Sequence, residues 1–117
     1  MALSIEHRTE SDLPVLVIGG DLDLASVPAL NDAGAEVLKA GARHVIADIS
    51  AVSFCDSSGL SAFVRIANAL APRDGRLAVA GPQPIVRRVL EISGLVDIFL
   101  VTEDVAEAAA ELSATRA

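Results

Sequence analysis

A chain of 117 residues has the length of one ordinary domain. At that size folding buries roughly two-thirds of the surface an unfolded chain exposes, so neither a metal nor a disulfide is needed as a staple. Hydrophobic residues make up 52% and are almost all Ala, Val, Leu and Ile, with three Phe and neither Tyr nor Trp, which suits helices layered on a sheet. A net charge of −7 removes the basic field that phosphate backbones and anionic membranes require, and the few Arg are dispersed apart from Arg87 and Arg88. Neither nucleic acid nor membrane is therefore expected as a partner; another protein is.

The one cysteine, Cys55, has no internal partner, which fits a reducing compartment. The opening MALSIEHRTESD lacks a charged-then-apolar signal pattern, and no run approaches the ~18 apolar residues of a membrane helix. A cytoplasmic location is expected, with the free protein a monomer.

In chain order, residues 3–8 and 14–19 read as two short strands joined through a polar turn at Thr9–Leu13, a hairpin. Residues 26–40 place Val27, Leu30, Val37 and Leu38 on one helical face, with Ser26 as N-cap and Gly41 just past the end. Residues 43–49 form a strand with Val45, Ala47 and Ile49 pointing one way. A helix over about 58–71 shows Leu60, Phe63, Val64, Ala67 and Ala71 at helical spacing and is stopped by Pro72 and Asp74-Gly75. Strand 76–80 leads to helix 84–93, closed by Gly94; strand 97–101 precedes a last helix, 103–114, with Glu103 and Asp104 in its favourable first turn.

A hairpin followed by strand–helix repeats implies an α/β fold: one mixed sheet of about five strands, about four helices, and a single domain over residues 1–117. Sites in such sheets gather at the carboxyl ends of the strands, which selects the loops at 20–26, 50–58 and 80–84. The second of these ends in Asp56-Ser57-Ser58, where a helix begins. The first N–H groups of a helix have no internal partners, so the position suits capping residues and anions alike. Phosphorylation of a serine there adds about −1.5 to −2 charges in one step. Asp56, and Asp21 and Asp23 if their loop lies alongside, would add to the repulsion of a docked partner.

The run HVIADISAVSFCDSSGLSAFV resembles the signature of the STAS domain, in particular its anti-sigma factor antagonists. Gly20-Asp21-Leu22-Asp23 is similar to that family's Gly-Glu-Leu-Asp, and Ser93-Gly94-Leu95 with Asp97-Ile98-Phe99 to its late Ser/Thr-Gly-Leu and apolar strand. The resemblance implies that Ser57, directly after the motif Asp, is the phosphoacceptor, with Ser58 the second choice. It implies a role for Asp23 in partner and kinase recognition, and one for Asp21, which keeps the charge of the family's Glu on a shorter side chain. It further implies a partner that is both anti-sigma factor and serine kinase, binding of which frees a sigma factor, and a serine phosphatase that resets the cycle. The alternative within the family is a subunit of a stress-signalling assembly or of a transport system, with no phosphorylation cycle at Ser57.

Each residue also has a plainer reading. Ser57 and Ser58 can be helix caps, a role compatible with phosphorylation. Asp21 and Asp23 can be ordinary turn acids, Asp56 can hydrogen-bond the helix tip, and Asp48 is structural. Cys55 reads as a small buried apolar residue, and Gly59 as a point of close packing. Opposite the apolar stripe of the second helix stand Ser58, Ala62, Arg65, Ile66 and Ala69. An exposed Ile beside two Ala suggests a docking surface, unless another element covers it. The expected partner-binding set is therefore Asp21, Asp23, Asp56, Ser58, Gly59, Ala62 and Ile66. If that face is open, Ile66→Glu leaves the fold intact but weakens the partner complex.

An enzyme is not expected. A serine at a strand-to-helix turn is also a hydrolase arrangement, but Gly-x-Ser-x-Gly is absent, and only His7 and His44 could act as base, both early in strands. No Walker-type phosphate loop or metal-ligating cluster is present in the sequence, so no cofactor is expected.

Overall fold

The hairpin closes on Ser11 and Asp12, both with positive φ (51° and 66°), which is the paired left-handed geometry of a two-residue turn between twisted strands. In this computed structural model, which describes residues 2–114, the turn joins β1 (Ser4–Glu10) to β2 (Leu13–Leu22) in antiparallel register, Glu10 opposite Leu13. Then follow α1 (Val27–Lys39), β3 (Val45–Cys55), α2 (Ser57–Leu70), β4 (Leu77–Ala80), α3 (Pro84–Ile92), β5 (Leu100–Thr102) and α4 (Val105–Ala114). The sheet runs in the order β1-β2-β3-β4-β5, with β2 to β5 parallel. Five strands and four α-helices are the mixed α/β architecture that the alternating pattern implies.

Both faces of the sheet are buried, for a reason visible in β3. Val45, Ala47 and Ile49 face a cluster with Leu30 and Val37 of α1, Phe63, Ile66 and Leu70 of α2, and Val86 and Leu90 of α3. Ile46 faces the other way, against Ala108, Ala109 and Leu112 of α4. Right-handed crossovers put α1 to α3 on one side, and α4 covers the reverse. Continuous burial of Val45 to Ala47 is what a strand covered on both faces requires.

Several boundaries depart from the sequence reading; the last helix, expected from 103, begins at Val105, so Glu103 and Asp104 precede it and Glu107 is the acid of its first turn. The strand expected at 43–49 begins at Val45 and continues to Cys55, so most of the expected 50–58 loop is strand, paired with Gly19 to Leu22 of β2 through two register shifts. Asp21 therefore lies in a strand rather than a loop. The strand expected at 97–101 is instead a 3-10 turn over Leu95–Asp97 followed by the short β5. Phe99 meets Phe63 edge-on there, ring centroids 6.2 Å apart, and the turn is what lets Phe99 enter the core.

At the amino edge of the sheet, buried His44 accepts a hydrogen bond at Nδ1 from the backbone N–H of Arg76 (3.0 Å). Burial, with the nearby charges of Arg43 and Arg76, holds its pKa below the ordinary imidazole value. Protonation would remove that acceptor and add a third positive charge. Above pH ~6.5 His44 is neutral folded or unfolded; below it the unfolded chain takes up a proton that the folded chain resists. Stability should consequently decline from pH 6.5 toward pH 5, with a shallower decline in His44→Gln. Parallel pH–Tm curves for the two proteins would rule this out.

Candidate functional site

The carboxyl ends of β2 and β3 meet where Asp21 stands opposite Phe54 and Leu22 opposite Cys55. The backbone N–H of Asp56 then donates to the carbonyl of Leu22 (3.0 Å), pinning the start of α2 to the end of β2. Asp56 is the N-cap of α2: one carboxylate oxygen accepts the N–H groups of Ser58 (2.9 Å) and Gly59 (3.3 Å). Capping thus falls to the aspartate. Ser57, the first helical residue, is exposed, and among the described residues its hydroxyl has no hydrogen-bond partner.

The acids beside it are held in place. An Asp21 carboxylate oxygen accepts the hydroxyl of Ser53 (3.1 Å). Asp23 accepts the N–H of Ser26 (3.1 Å), while the Ser26 hydroxyl accepts the N–H of Asp23 (3.0 Å) and donates to the carbonyl of Asp21 (2.8 Å). Ser26 stands at the N-cap of α1 as expected, but its hydroxyl faces back into the preceding turn instead of capping the helix. Gly20 sits at φ +100° with Ala2 so near that a Cβ would fall 2.5 Å from its carbonyl oxygen, which fixes the path of the chain into the acidic turn.

Three of the expected partner-binding residues are buried and cannot meet a partner. Gly59 is buried, and a Cβ on it would come within 2.9 Å of both Cys55 Sγ and Leu22 Cβ, so it is the point of close helix–strand packing. Ala62 is fully buried and Ile66 is only 4% exposed. The face of α2 that looks unpartnered in sequence is covered by α1: Gly34 lets the helices approach so closely that a Cβ there would meet Ile66 Cδ1 and Cγ1 at 2.9 Å. Of that face Arg65, bonded to Asn31 of α1 (3.0 Å), and Ala69 stay exposed, and Ser58 is half-buried at the tip.

Other residues reach the site only through the fold. Ser93 and Leu95 line a groove of about 310 Å³ together with Ser57, Leu60, Ser61 and Val64, which brings the late Ser-Gly-Leu segment beside the serine. Leu24 (76% exposed) and Phe54 (47%) stand unusually open at the same carboxyl edge. His44 is separated from the serine by the 11-residue strand β3, roughly 35 Å of chain, so it is no base for Ser57.

Cys55, next to the tip, is buried, and its thiol is pushed up to about 11, first by burial and then by the charge of Asp56. It is a neutral thiol at physiological pH. Ellman's reagent at pH 8 should therefore react with the native protein far more slowly than with the urea-unfolded chain; equal rates would contradict this environment.

The STAS domain model matches residues 4–108, and the chain belongs to that family. It is 34% identical over 103 residues to the anti-sigma-B factor antagonist of Staphylococcus aureus (strain NCTC 8325 / PS 47), covering 88% of this chain and 95% of that one. Its fold matches the crystal structure of an anti-sigma factor antagonist from Mycobacterium paratuberculosis with a TM-score of 0.88 at 23% identity, over 96% of this chain and 95% of that one. It is also similar to SpoIIAA in two states. Against the unphosphorylated form of this anti-sigma factor antagonist the TM-score is 0.81 at 22% identity, covering 97% and 100%. Against the phosphorylated form, a Bacillus cell fate determinant, it is 0.70 at 25% identity, covering 94% and 98%. Among the described residues no helix is long and apolar enough to cross a membrane.

Proposed function

We propose that this protein is an anti-sigma factor antagonist. It binds an anti-sigma factor that is also a serine kinase, frees the sigma factor, and is released when the kinase phosphorylates Ser57; a serine phosphatase then restores it. The observation that carries this reading is the exposed, unpartnered hydroxyl of Ser57 at the first position of a helix whose next two amide donors, those of Ser58 and Gly59, are already satisfied by Asp56. Such a hydroxyl can enter a kinase site without any change in the fold, and a phosphate on it faces outward. The relatives support the reading by name, and SpoIIAA is a protein of this fold that exists in a phosphorylated form.

The function is binding rather than catalysis. Asp21, Asp23 and Asp56 give the docking edge its negative sign, with Ser58 as the second candidate acceptor. The reading carries with it a cytoplasmic protein, monomeric when free, without nucleic-acid or membrane partners. Mass spectrometry after incubation with the cognate kinase and ATP tests it: one phosphate on the peptide containing Ser57 is expected, and phosphate found only outside residues 57–58 overturns the assignment.

A further inference from the structure

We propose that Asp56 is a positioning residue for the switch: by occupying the Ser58 and Gly59 amide donors in the first turn of α2, its carboxylate leaves a phosphate on Ser57 no helix donor beyond the N–H of Ser57 itself, so that most of the charge is directed at the partner. This role presupposes Ser57 as the phosphoacceptor. A helix opens with N–H groups that lack internal partners, and a phosphate on the first helical residue is well placed to take them. In α2 the first internal bond runs from the N–H of Leu60 to the carbonyl of Asp56 (3.1 Å). The N–H groups of Ser58 and Gly59, which precede it, both point at one oxygen of the Asp56 carboxylate. A second anion could reach them only by displacing the first, against like-charge repulsion.

Among the described residues, the lining of the adjoining groove offers no charge in exchange. The groove beside Ser57 presents Leu60, Ser61 and Val64 from α2 and Ser93 and Leu95 from the segment after α3, hydroxyls and aliphatic groups without a cation. Across the edge, Asp23 is itself acidic. The phosphate therefore stays solvated and dianionic near neutral pH. A helix that drew the phosphate onto its own amides would cancel part of the charge and mute the switch.

The test installs phosphoserine at position 57 by genetic-code expansion, in the full chain and in Asp56→Ala and Asp56→Asn, and follows the ³¹P shift and the Ser58 and Gly59 amide signals through the second phosphate ionisation. In the parent, that pKa should lie at or above the ordinary value near 6, and the two amides should not follow the phosphate. In Asp56→Ala the pKa should fall by about half a unit or more, with both amide protons moving downfield at the same midpoint. Asp56→Asn keeps a competent cap without the charge, so its amides should stay in place while the pKa falls less; it also serves if the alanine variant folds poorly. A parent whose Ser58 and Gly59 amides titrate with the phosphate, or a pKa unchanged in both variants, overturns the proposal. Because no kinase installs the phosphate, this outcome is separate from whether a kinase uses Ser57, which the mass spectrum decides.

Discussion

Ser57→Asp should bind the anti-sigma partner at least tenfold more weakly than the parent, whereas Ser57→Ala should bind as tightly and accept no phosphate. The side chain is exposed, so neither change disturbs packing. The Asp56 carboxylate offsets what the helix dipole would contribute to a second anion, and position 57 is exposed, so the Tm of Ser57→Asp should stay close to that of the parent. Lost binding then cannot be ascribed to lost folding. Two like charges ~6 Å apart repel by roughly 0.7 kcal/mol at the dielectric of water and by about 3 kcal/mol at an effective value near 20. Each factor of ten in affinity needs ~1.4 kcal/mol. A single carboxylate pressed into a docked surface thus reaches tenfold, and phosphate, with about −1.5 to −2 charges, reaches further. Titration calorimetry against the cognate anti-sigma factor is the measurement, and a Ser57→Asp protein that binds like the parent would sink the electrostatic account.

How the site could be read before the structure depends on which residues speak locally. Asp56-Ser57-Ser58 before an apolar helical pattern announces a helix start, because capping is a matter of a few consecutive residues. Assignment of the cap to Asp56 was already among the local possibilities. The extension of β3 to Cys55 was not legible: Ser50 to Phe54 mixes polar and apolar residues without alternation, and β2 pairs with it through register shifts. The run Asp97 to Val101 failed in the opposite sense. Its apolar residues imitate a strand, yet Gly94 at φ +77° starts a 3-10 turn that delivers Phe99 to the core. Ser93 and Leu95 join the serine only because α3 returns across the upper part of β3, where Gln83, at its start, donates to the carbonyl of Ser50 (2.9 Å). No spacing along the chain encodes that approach.

The same limit explains Ile66 and yields a second large effect. A helical wheel shows that Ile66 lies off the main apolar stripe, but not that Gly34 and Ala33 of α1 are small enough to bring a second helix down over it. Ile66→Glu should therefore fail as a binding variant that spares the fold. It places a carboxylate in an apolar helix–helix contact where the cation lining the same groove, Arg65, is exposed and bonded to Asn31, at a cost of several kcal/mol against a total stability of ~5–15 kcal/mol. Ile66→Ala, which leaves a cavity instead of a charge, should cost about 2–5 kcal/mol and lower Tm by roughly 10–20 °C. Arg65 is the control: exposed and bonded only to Asn31, its replacement by Ala should change stability by no more than about 0.5 kcal/mol. Thermal and urea unfolding followed by circular dichroism separates the three. If Ile66→Glu melted with the parent, α1 could not be covering that face in solution, and the surface between the two helices would again be available to a partner.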